Sequence, residues 1–384
     1  MSKKLAFVFC RNDERSVAAY REATEAGHAV ALLDANLDAS LRDALVWRYE
    51  PELVYGLSDT PIRRYVNELP PHPDLSLLLS TSGSTGSPKF VRLSRAAVKH
   101  NALMIAQALE IDEYERPILS LPMHYSYGLS VLNSHLVARA RVVLTDEPIT
   151  SAAFWDTVRR EECTSLAGVP YTFQMLKRLD LDALDVPSLK TLTVAGGKLA
   201  PSLVSHFTKV MAKRGGRFVE MYGQTEATAR IAIDGHVLPG AKVRIEAGEV
   251  VYSGPNVMMG YAENRDDLAR GDDLGGELYT GDLGRIKDDG RLVITGRTKR
   301  IAKVYGLRIN MDEVEAMLST HGPTAVVEGD EQLVIYCEDI GLPELRRVFA
   351  DRLRIHHGAL VFRRVEQLPR TAAGKVDYDA LSRA

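Results

Sequence analysis

Over the first half of this chain, short apolar runs alternate with helical patterns, and this alternation constrains the fold most strongly. The apolar run Leu5–Cys10 is followed by the helical segment Val17–Ala26 and a second apolar run, His28–Leu33. A second series begins at Leu75–Ser80 and extends to the strand pattern Thr191–Val194. Because strands that alternate with helices usually form a mostly parallel sheet, the sequence predicts an α/β fold with mostly parallel sheets flanked by helices.

From about Ala241 the pattern changes to short alternating runs separated by Gly, Asp and Asn. These runs are Val243–Ile245, Glu249–Tyr252, Glu277–Thr280 and Arg291–Ile294. The triplet Asp288-Asp289-Gly290 lies between the last two runs and is a hairpin signal of the Asp-Gly type. The sequence therefore predicts a small antiparallel β subdomain after the parallel sheets.

Beyond Gly296–Lys299 the pattern becomes α+β. A helix is predicted from about Met311 to Thr320, a strand at Leu333–Cys337 and a helix from about Leu342 to Leu353. We place a boundary near Lys299, which divides the chain into a large N-terminal domain, 1–298, and a small C-terminal domain, 299–384.

Composition excludes several classes of protein. The chain has 384 residues, 45% of them hydrophobic, and its 48 basic and 51 acidic residues are interspersed, so nothing indicates nucleic-acid binding. The cysteines Cys10, Cys163 and Cys337 lie too far apart for a metal-ligand or disulfide pattern, which fits a reducing compartment. The apolar start is too short for a secretory core, and no run approaches the roughly 18 apolar residues of a membrane span. We therefore expect a cytoplasmic protein.

A loop rich in Ser and Gly separates the strand Leu75–Ser80 from the helical segment Arg95–Leu109. Its candidate phosphate-binding residues are Thr81, Ser82, Gly83, Ser84, Thr85, Gly86 and Lys89. Glycines let main-chain N–H groups approach an anion, hydroxyls donate further hydrogen bonds, and an ammonium group neutralises phosphate charge. The loop does not match the Walker A pattern, which disfavours a P-loop NTPase. A flexible Ser/Gly linker is the alternative, and the flanking strand and helix count against it.

The loop closely resembles the signature of the adenylate-forming superfamily, which comprises acyl-CoA synthetases, the adenylation domains of peptide synthetases, and luciferases. Further segments resemble the family's motifs in the expected order, so that the likeness covers roughly residues 75 to 384. They are Tyr222–Glu226, the predicted strand Val251–Tyr261, Tyr279–Asp282, Gly296–Lys299 with Lys303–Ile309, and Pro369–Lys375. The chain thus resembles an AMP-dependent ligase, with ATP and Mg²⁺ as the implied cofactors.

The resemblance implies a role for each matching residue. Lys375 would lie near the substrate carboxylate and the α-phosphate, Thr225 would donate to that phosphate, and Glu226 would help to hold Mg²⁺. The implied adenosine site consists of Gly196, Gly197, Tyr222, Gly223, Asp282 and Arg297. Tyr222 would stack on adenine, and Asp282 would accept the ribose hydroxyls.

Two further positions concern the second half of the reaction. Lys299 occupies the family's hinge, about which the small domain is thought to rotate, and Gly306 lies on the loop that would approach a pantetheine arm. The resemblance therefore implies a phosphopantetheine thiol, on coenzyme A or an acyl carrier protein, as the acyl acceptor.

The segment after the phosphate loop lines the acyl pocket in the family, and its candidate residues here are His124, Tyr125, Ser126 and Tyr127. Ser126 stands at about the position where members that activate amino acids carry an Asp, which disfavours an α-amino acid. Together, the two tyrosines, the histidine and the serine suit an aromatic, hydroxylated or short polar acid, because they can form hydrogen bonds. Equally, these side chains could be packed in the wall of the pocket and make no contact with the substrate.

The 79 residues before Ser80 are fewer than in most relatives, so we expect a reduced N-terminal part and an acyl pocket that is more open or completed by a partner subunit. The sequence favours formation of an acyl-AMP from a small carboxylic acid with pyrophosphate release, followed by acyl transfer to a thiol. An amine acceptor and a catalytically silent adenylate-binding module are the alternatives.

Overall fold

The computed structural model describes residues 3–58, 60–63, 65–80, 89–304, 307–338, 346–353, 355–371 and 374–383. The elements of the N-terminal part are β1 (Leu5–Cys10), α1 (Glu14–Glu25), β2 (Ala29–Asp34), α2 (Ala39–Tyr49), β3 (Leu53–Tyr55), β4 (Ile62–Arg63), β5 (Leu75–Ser80), β6 (Phe90–Ser94) and α3 (Arg95–Ala108). They are followed by β7 (Pro117–Leu119), α4 (Ser126–Val137), β8 (Val143–Leu144), α5 (Ala152–Arg160), β9 (Ser165–Gly168), α6 (Pro170–Arg178), β10 (Thr191–Val194), α7 (Pro201–Lys213), β11 (Arg217–Tyr222), β12 (Ala232–Ile233) and β13 (His236–Val237).

The later elements are shorter and mostly strands. They are β14 (Lys242–Glu246), β15 (Glu249–Ser253), β16 (Gly260–Ala262), β17 (Glu277–Ile286), β18 (Leu292–Arg297), β19 (Ile301–Val304), β20 (Leu307–Asn310), α8 (Met311–Leu318), β21 (Thr324–Gly329), β22 (Gln332–Cys337), α9 (Arg346–Leu353), β23 (Leu360–Arg364) and α10 (Tyr378–Ser382). Among the helices that the described residues form, none has both the length and the apolar character that a bilayer crossing requires.

Two sheets with parallel centres form the N-terminal part, in the orders β16-β6-β5-β2-β1-β3-β4 and β13-β12-β11-β10-β9-β7-β8. Strand β1 is parallel to β2 and β3, and β10 is parallel to β9 and β11. Every residue of β1 is buried, as expected where helices cover both faces of a sheet. The predicted α/β fold is therefore confirmed, with antiparallel strands at the sheet edges.

Several element boundaries differ from the sequence prediction by one to three residues. Helix α1 begins at Glu14, before the predicted Val17, because the Asp13 carboxylate caps it by accepting from the Ser16 amide at 2.8 Å. Similarly, α8 ends at Leu318, before the predicted Thr320.

The predicted antiparallel subdomain forms a sheet in the order β14-β15-β17-β18, and Asp288-Asp289-Gly290 connects the paired strands β17 and β18. The single strand predicted over Val251–Tyr261 is wrong. Strand β15 ends in this sheet at Ser253, and β16 begins at Gly260 in the first parallel sheet. The buried Asn256 stabilises the connection between them, because its amide donates to the Ala227 and Arg230 carbonyls.

The C-terminal part has a core of its own. Strands β21, β22 and β23 form one sheet, and apolar side chains of β19, α8, β22 and α9 pack together in a separate cluster. The predicted boundary falls in the short connection between β18 and β19, and the division into two domains stays a prediction.

Among the described residues, the largest fully buried side chain is that of Arg92 on β6. Its guanidinium donates to the Met259 carbonyl at 2.8 Å, to the Tyr261 carbonyl at 3.2 Å and to the Asp273 carboxylate at 2.6 Å. Further hydrogen bonds reach the carbonyls of Arg270 and Gly271. Arg92 therefore fixes β16 and the segment after it against the first sheet.

A second buried polar side chain, Asn12, joins the two parallel sheets. Its amide donates to the carbonyls of Leu119, Leu121 and Thr145 at 3.1–3.3 Å, and its oxygen accepts from the Met123 amide at 3.2 Å. Because Leu121 and Met123 precede the predicted acyl-pocket residues, Asn12 anchors the loop that leads to them.

We predict that replacing Arg92 by Met lowers the free energy of unfolding by about 3 kcal/mol, since it leaves buried carbonyls without a donor. Denaturant titration of purified protein measures the change. The control is Arg21→Met, which removes an exposed ion pair with Glu25 and should cost less than about 1 kcal/mol. Equal losses of unfolding free energy in the two variants would contradict the structural role of Arg92.

Candidate active site

Lys89, Tyr261 and Glu226 form a cluster at the edge of the first sheet. The Lys89 ammonium lies 3.6 Å from the centre of the Tyr261 ring, and the Tyr261 hydroxyl donates to Glu226 Oε1 at 2.9 Å. Burial and the nearby charge of Glu226 raise the pKa of the Tyr261 phenol, which keeps it a donor. The cluster joins one predicted phosphate ligand to the predicted metal ligand.

Glu226 and Thr225 occupy a short 3₁₀ turn, Thr225–Ala227, that follows β11. The Thr225 hydroxyl donates to Ser126 Oγ at 3.1 Å, at the start of α4. The main chain of Glu226 is fixed by the Met258 amide, which donates to its carbonyl at 2.8 Å. The predicted catalytic turn therefore contacts the predicted acyl-pocket segment.

Asp282, on β17, is buried between two donors. The Tyr222 hydroxyl donates to Asp282 Oδ2 at 2.6 Å, and Arg297 Nε lies 3.2 Å from Oδ1. Burial raises the pKa of the Asp282 carboxyl, and the charge of Arg297 and the Tyr222 hydrogen bond oppose this shift. The structure thus brings three residues of the predicted adenosine site together, with the Tyr222 hydroxyl directed at Asp282.

The two glycines after β10 lie beside the acyl-pocket loop and α6. Gly196 has a φ of +84°, and a Cβ at this position would lie 2.6 Å from the Tyr125 hydroxyl and 3.6 Å from Lys375 Cε. A Cβ at Gly197 would lie 3.2 Å from the Pro170 side chain. A side chain at Gly196 would therefore occupy the space between Tyr125 and Lys375.

Lys375 lies next to Gly196 and Tyr125, although it belongs to the C-terminal part. Its ammonium is 5.4 Å from the centre of the Tyr125 ring. Burial lowers the pKa of Lys375, the charge of Arg297 lowers it further, and Glu226 and Asp282 oppose the shift. The lysine is thus held where additional negative charge would stabilise its protonated form.

The loop that carries Lys375 docks on α6. The Arg370 guanidinium lies 4.4 Å from the centre of the Tyr171 ring and donates to Gln174 Oε1 at 3.3 Å. It also donates to the Gly374 carbonyl at 3.1 Å, next to Lys375. These contacts explain how the C-terminal loop is held beside Gly196.

The predicted acyl-pocket residues have different surroundings. Tyr127 is fully buried and its hydroxyl donates to the Thr193 carbonyl at 2.8 Å, while burial raises its pKa to about 12. Ser126 is buried beside Thr225. His124 is half-buried, and burial lowers its pKa against the opposing charge of Asp34.

Some predicted residues lie outside the described residues. They are the phosphate-loop residues Thr81, Ser82, Gly83, Ser84, Thr85 and Gly86, and the predicted pantetheine-loop residue Gly306. Lys299 lies in the short turn Thr298–Arg300, and its side chain is likewise outside the description. Gly223 follows β11, and the Ala229 carbonyl occupies the space that a Cβ there would need.

Four side chains that contact the site lie outside the set predicted from the sequence: Tyr261, Tyr171, Gln174 and Arg230. Of these, only Tyr261 belongs to a segment that resembles a family motif. Tyr171 and Gln174 follow Val169-Pro170, where Pro at the first helical turn is a start signal, but nothing local indicates that the C-terminal loop docks there. Arg230 stacks on Tyr127, with its guanidinium carbon 4.1 Å from the ring centre.

The described residues contain no group of three or more His, Cys, Asp or Glu side chains that could hold a metal ion. Mg²⁺ does not require such a group, because it keeps several water ligands and binds through one or two carboxylates together with substrate phosphates. Glu226, next to Lys89 and Tyr261, fits this mode of binding.

A family model described as "AMP-binding enzyme" matches residues 4–262. The chain belongs to the AMP-binding enzyme family. The match begins near the first strand of the first sheet and ends in β16, so it contains the turn with Thr225 and Glu226 and both glycines after β10.

Among individual proteins, the chain is 32% identical to YngI of Bacillus subtilis (strain 168) over 271 residues, 63% of this chain and 48% of YngI. It is 30% identical to the oxalate–CoA ligase of Arabidopsis thaliana over 301 residues, 70% of this chain and 57% of the ligase. The chain thus spans about half the length of these two relatives.

A solved structure with the same fold is the o-succinylbenzoate CoA synthetase of Bacillus subtilis, in complex with its acyl-adenylate intermediate. The TM-score is 0.79 at 21% identity, and the alignment covers 100% of this chain and 89% of the synthetase. This agreement confirms the adenylate-forming fold.

We predict that Tyr261→Phe lowers the affinity for Mg·ATP about fivefold to tenfold, because Glu226 loses one hydrogen bond of roughly 1 kcal/mol. Tyr261→Ala should lower the affinity further, because it also removes the contact between the Lys89 ammonium and the Tyr261 ring. Calorimetric titration with Mg·ATP measures both. The control Tyr114→Phe changes a highly exposed tyrosine and should bind as the unaltered protein does. Unchanged affinity in Tyr261→Phe would refute the role of this hydroxyl.

Proposed function

We propose that this protein activates a carboxylic acid with ATP and Mg²⁺ as an acyl-AMP, releases pyrophosphate, and passes the acyl group to a phosphopantetheine thiol. The observation that carries the proposal is the location of Lys375. Its ammonium lies beside Gly196 and Tyr125, within electrostatic reach of Arg297, Glu226 and Asp282.

Adenylation brings two anions together. A carboxylate oxygen forms a bond to the α-phosphorus while the bond from that phosphorus to the bridging oxygen of pyrophosphate breaks. A cation between the carboxylate and the α-phosphate lowers the repulsion and stabilises the charge that develops there. Lys375 supplies that cation, and the docking of its loop through Arg370 on Tyr171 and Gln174 fixes it in advance.

Charge on the leaving pyrophosphate is balanced on the other side of the site. Lys89 and the loop residues Thr81–Gly86 would bind the outer phosphates, and Thr225 would donate to the α-phosphate. Glu226 would hold Mg²⁺, which supplies positive charge to the phosphate oxygens when it is bound. Among the described residues, the hydrogen bond from Tyr261 involves Oε1 of Glu226 and leaves Oε2 for that purpose.

The adenosine would lie between the glycines after β10 and the β17–β18 hairpin. Gly196 leaves free the space between Tyr125 and Lys375, and Gly223 allows the main chain after β11 to pack against the Ala229 carbonyl. Asp282 would accept the ribose hydroxyls, with Arg297 and Tyr222 keeping its carboxylate oriented. Stacking of adenine on the Tyr222 ring is part of the proposal.

The acceptor is proposed to be coenzyme A or an acyl carrier protein. The relative named as an oxalate–CoA ligase supports a thiol acceptor. Rotation of a small domain, 299–384, against a large one, 1–298, about Lys299 would replace Lys375 by the loop with Gly306, since one pocket must serve two reactions.

The experiment that tests the function is pyrophosphate release from ATP and Mg²⁺ with a panel of aryl, short-chain, hydroxy, fatty and dicarboxylic acids, with and without coenzyme A. We expect one class of acid to release pyrophosphate and coenzyme A to increase turnover. If every acid gave only the rate of the Lys375→Ala variant, the adenylation proposal would be wrong.

For the competent acid, Lys375→Ala should reduce the rate of adenylation by at least ~10²- to 10³-fold, the loss that follows removal of one preorganised electrostatic contact. The control Lys213→Ala removes a largely exposed lysine and should leave the rate unchanged. Near-normal adenylation by Lys375→Ala would contradict the assignment.

The pH profile provides a separate check on the same lysine. Since the pKa of Lys375 is lowered and its protonated form is the active one, kcat/KM for ATP should fall as pH rises through that lowered pKa. In Lys375→Arg, whose guanidinium keeps its proton, this alkaline decline should disappear while part of the activity remains. An identical decline in both proteins would assign it to another group.

A further inference from the structure

A cavity lies between α4 and the strands β9 and β10, next to the proposed reaction site. Its enclosed volume is about 30 Å³. Apolar side chains such as Ile105, Val131 and Leu166 line part of it, and Tyr127, Ser130 and Arg230 line another part. Such a volume holds one or two water-sized groups, so the cavity can accept a carboxylate at the far end of a small acid.

The cavity adjoins Lys375 through two tyrosines. Tyr127 lines the cavity, and the centre of its ring is 6.4 Å from that of Tyr125. The Tyr125 ring in turn lies 5.4 Å from the Lys375 ammonium. An acid whose carboxylate reaches Lys375 therefore has its remaining atoms directed along these rings toward the cavity.

Arg230 is the charged residue on the cavity wall beside Tyr127, and its side chain is almost completely buried, with the residue 3% exposed. Its Nε donates to Met221 Sδ at 3.3 Å, and Nη1 donates to the Ala229 carbonyl at 3.1 Å. Nη2 has no hydrogen-bond partner among the described residues. No carboxylate in the described part of the chain forms an ion pair with this guanidinium.

A second buried polar atom on the same cavity is also without a partner. Ser165 is 8% exposed, lines the cavity from β9, and its hydroxyl has no hydrogen-bond partner within the described ranges. Leaving a buried hydroxyl unpaired destabilises a protein, and leaving a buried charge unpaired destabilises it more. Two such groups on one cavity indicate a ligand that accepts hydrogen bonds and carries negative charge.

The protein holds Arg230 in position from its main chain. The Asn101 side-chain oxygen accepts from the Arg230 amide at 3.2 Å, and its amide group donates to the Arg230 carbonyl at 2.9 Å. The Asn256 amide donates to the same carbonyl at 3.1 Å. Both asparagines are buried, so the guanidinium is supported as a binding group requires.

Among the described residues, the other ionisable groups on the cavity wall form no ion pair with this cation. Glu115 accepts a short hydrogen bond from the Thr164 hydroxyl. His135 Nδ1 lies 2.7 Å from the Val131 carbonyl, and burial lowers the pKa of His135 to about 4, so its ring is neutral near pH 7. Arg230 therefore remains available to an anion.

We infer that the acid substrate carries a second acidic group, a carboxylate remote from the one that is adenylated, and that Arg230 binds it in this cavity. The inference rests on the proposed adenylation and names its substrate class: a dicarboxylic acid. Arg230 is then a specificity-determining residue, because a monoacid leaves its buried charge unpaired and a diacid pairs it.

The test compares diacids with matched monoacids in the pyrophosphate-release assay. The panel pairs glutarate, adipate, isophthalate and terephthalate with valerate, hexanoate and benzoate, and includes the monoamide of each diacid. For at least one diacid we expect a kcat/KM about 10²-fold above those of its monoacid and monoamide. Activity with monoacids alone would leave the adenylation proposal standing and overturn this inference.

Arg230→Met and Arg230→Lys assign the selectivity to this residue. Arg230→Met should lower kcat/KM for the diacid about 10²-fold and preserve or increase that for the monoacid, whereas Arg230→Lys should retain most of the diacid preference. An equal loss for both kinds of acid in Arg230→Met would show that the residue only supports Tyr127. The unfolding midpoint and Mg·ATP affinity of each variant serve as controls for folding.

If Arg230→Met does not fold, the diacid-to-monoamide ratio of the unaltered enzyme and of Arg230→Lys decides the question. A ratio near one overturns the inference. If no acid of either kind releases pyrophosphate, the adenylation proposal itself fails, and the substrate class fails with it.

Discussion

The buried guanidinium of Arg92 is the interaction on which the phosphate side of the site depends. It donates to the carbonyls of Met259 and Tyr261 and to Asp273, so it holds β16 against the first sheet. The Tyr261 ring therefore lies under Lys89, and its hydroxyl reaches Glu226. A buried charge is tolerated here because almost every donor of the guanidinium has an oxygen partner.

Arg92 and Arg230 illustrate opposite uses of the same side chain. Both are buried, but Arg92 has a carboxylate and several carbonyls around it, whereas Arg230 has an aromatic face, a thioether and one carbonyl. The first arrangement stabilises the fold without a ligand. The second leaves binding capacity on a cavity wall, at a cost in stability that a negatively charged ligand would offset.

The proposed chemistry depends on parts of the chain that are far apart in sequence. The strand ends of both parallel sheets contribute loops to one edge, and the C-terminal loop reaches that edge through Arg370, Tyr171 and Gln174. Gly196 is needed there because Tyr125 and Lys375 would otherwise meet a side chain. The proposed adenylation step therefore requires both parts of the chain in this arrangement.

The amino-acid sequence by itself determined the class of fold, the order of most elements and the family, because hydrophobic periodicity and short motifs are local properties. It also predicted that Asp282, Arg297 and Tyr222 belong to one site. It placed one strand over Val251–Tyr261, where buried contacts of Asn256 divide the segment between two sheets. Only the tertiary structure brought Arg230 beside Tyr127 and Ser165, because these contacts join residues that no periodic pattern relates and depend on how separate elements pack.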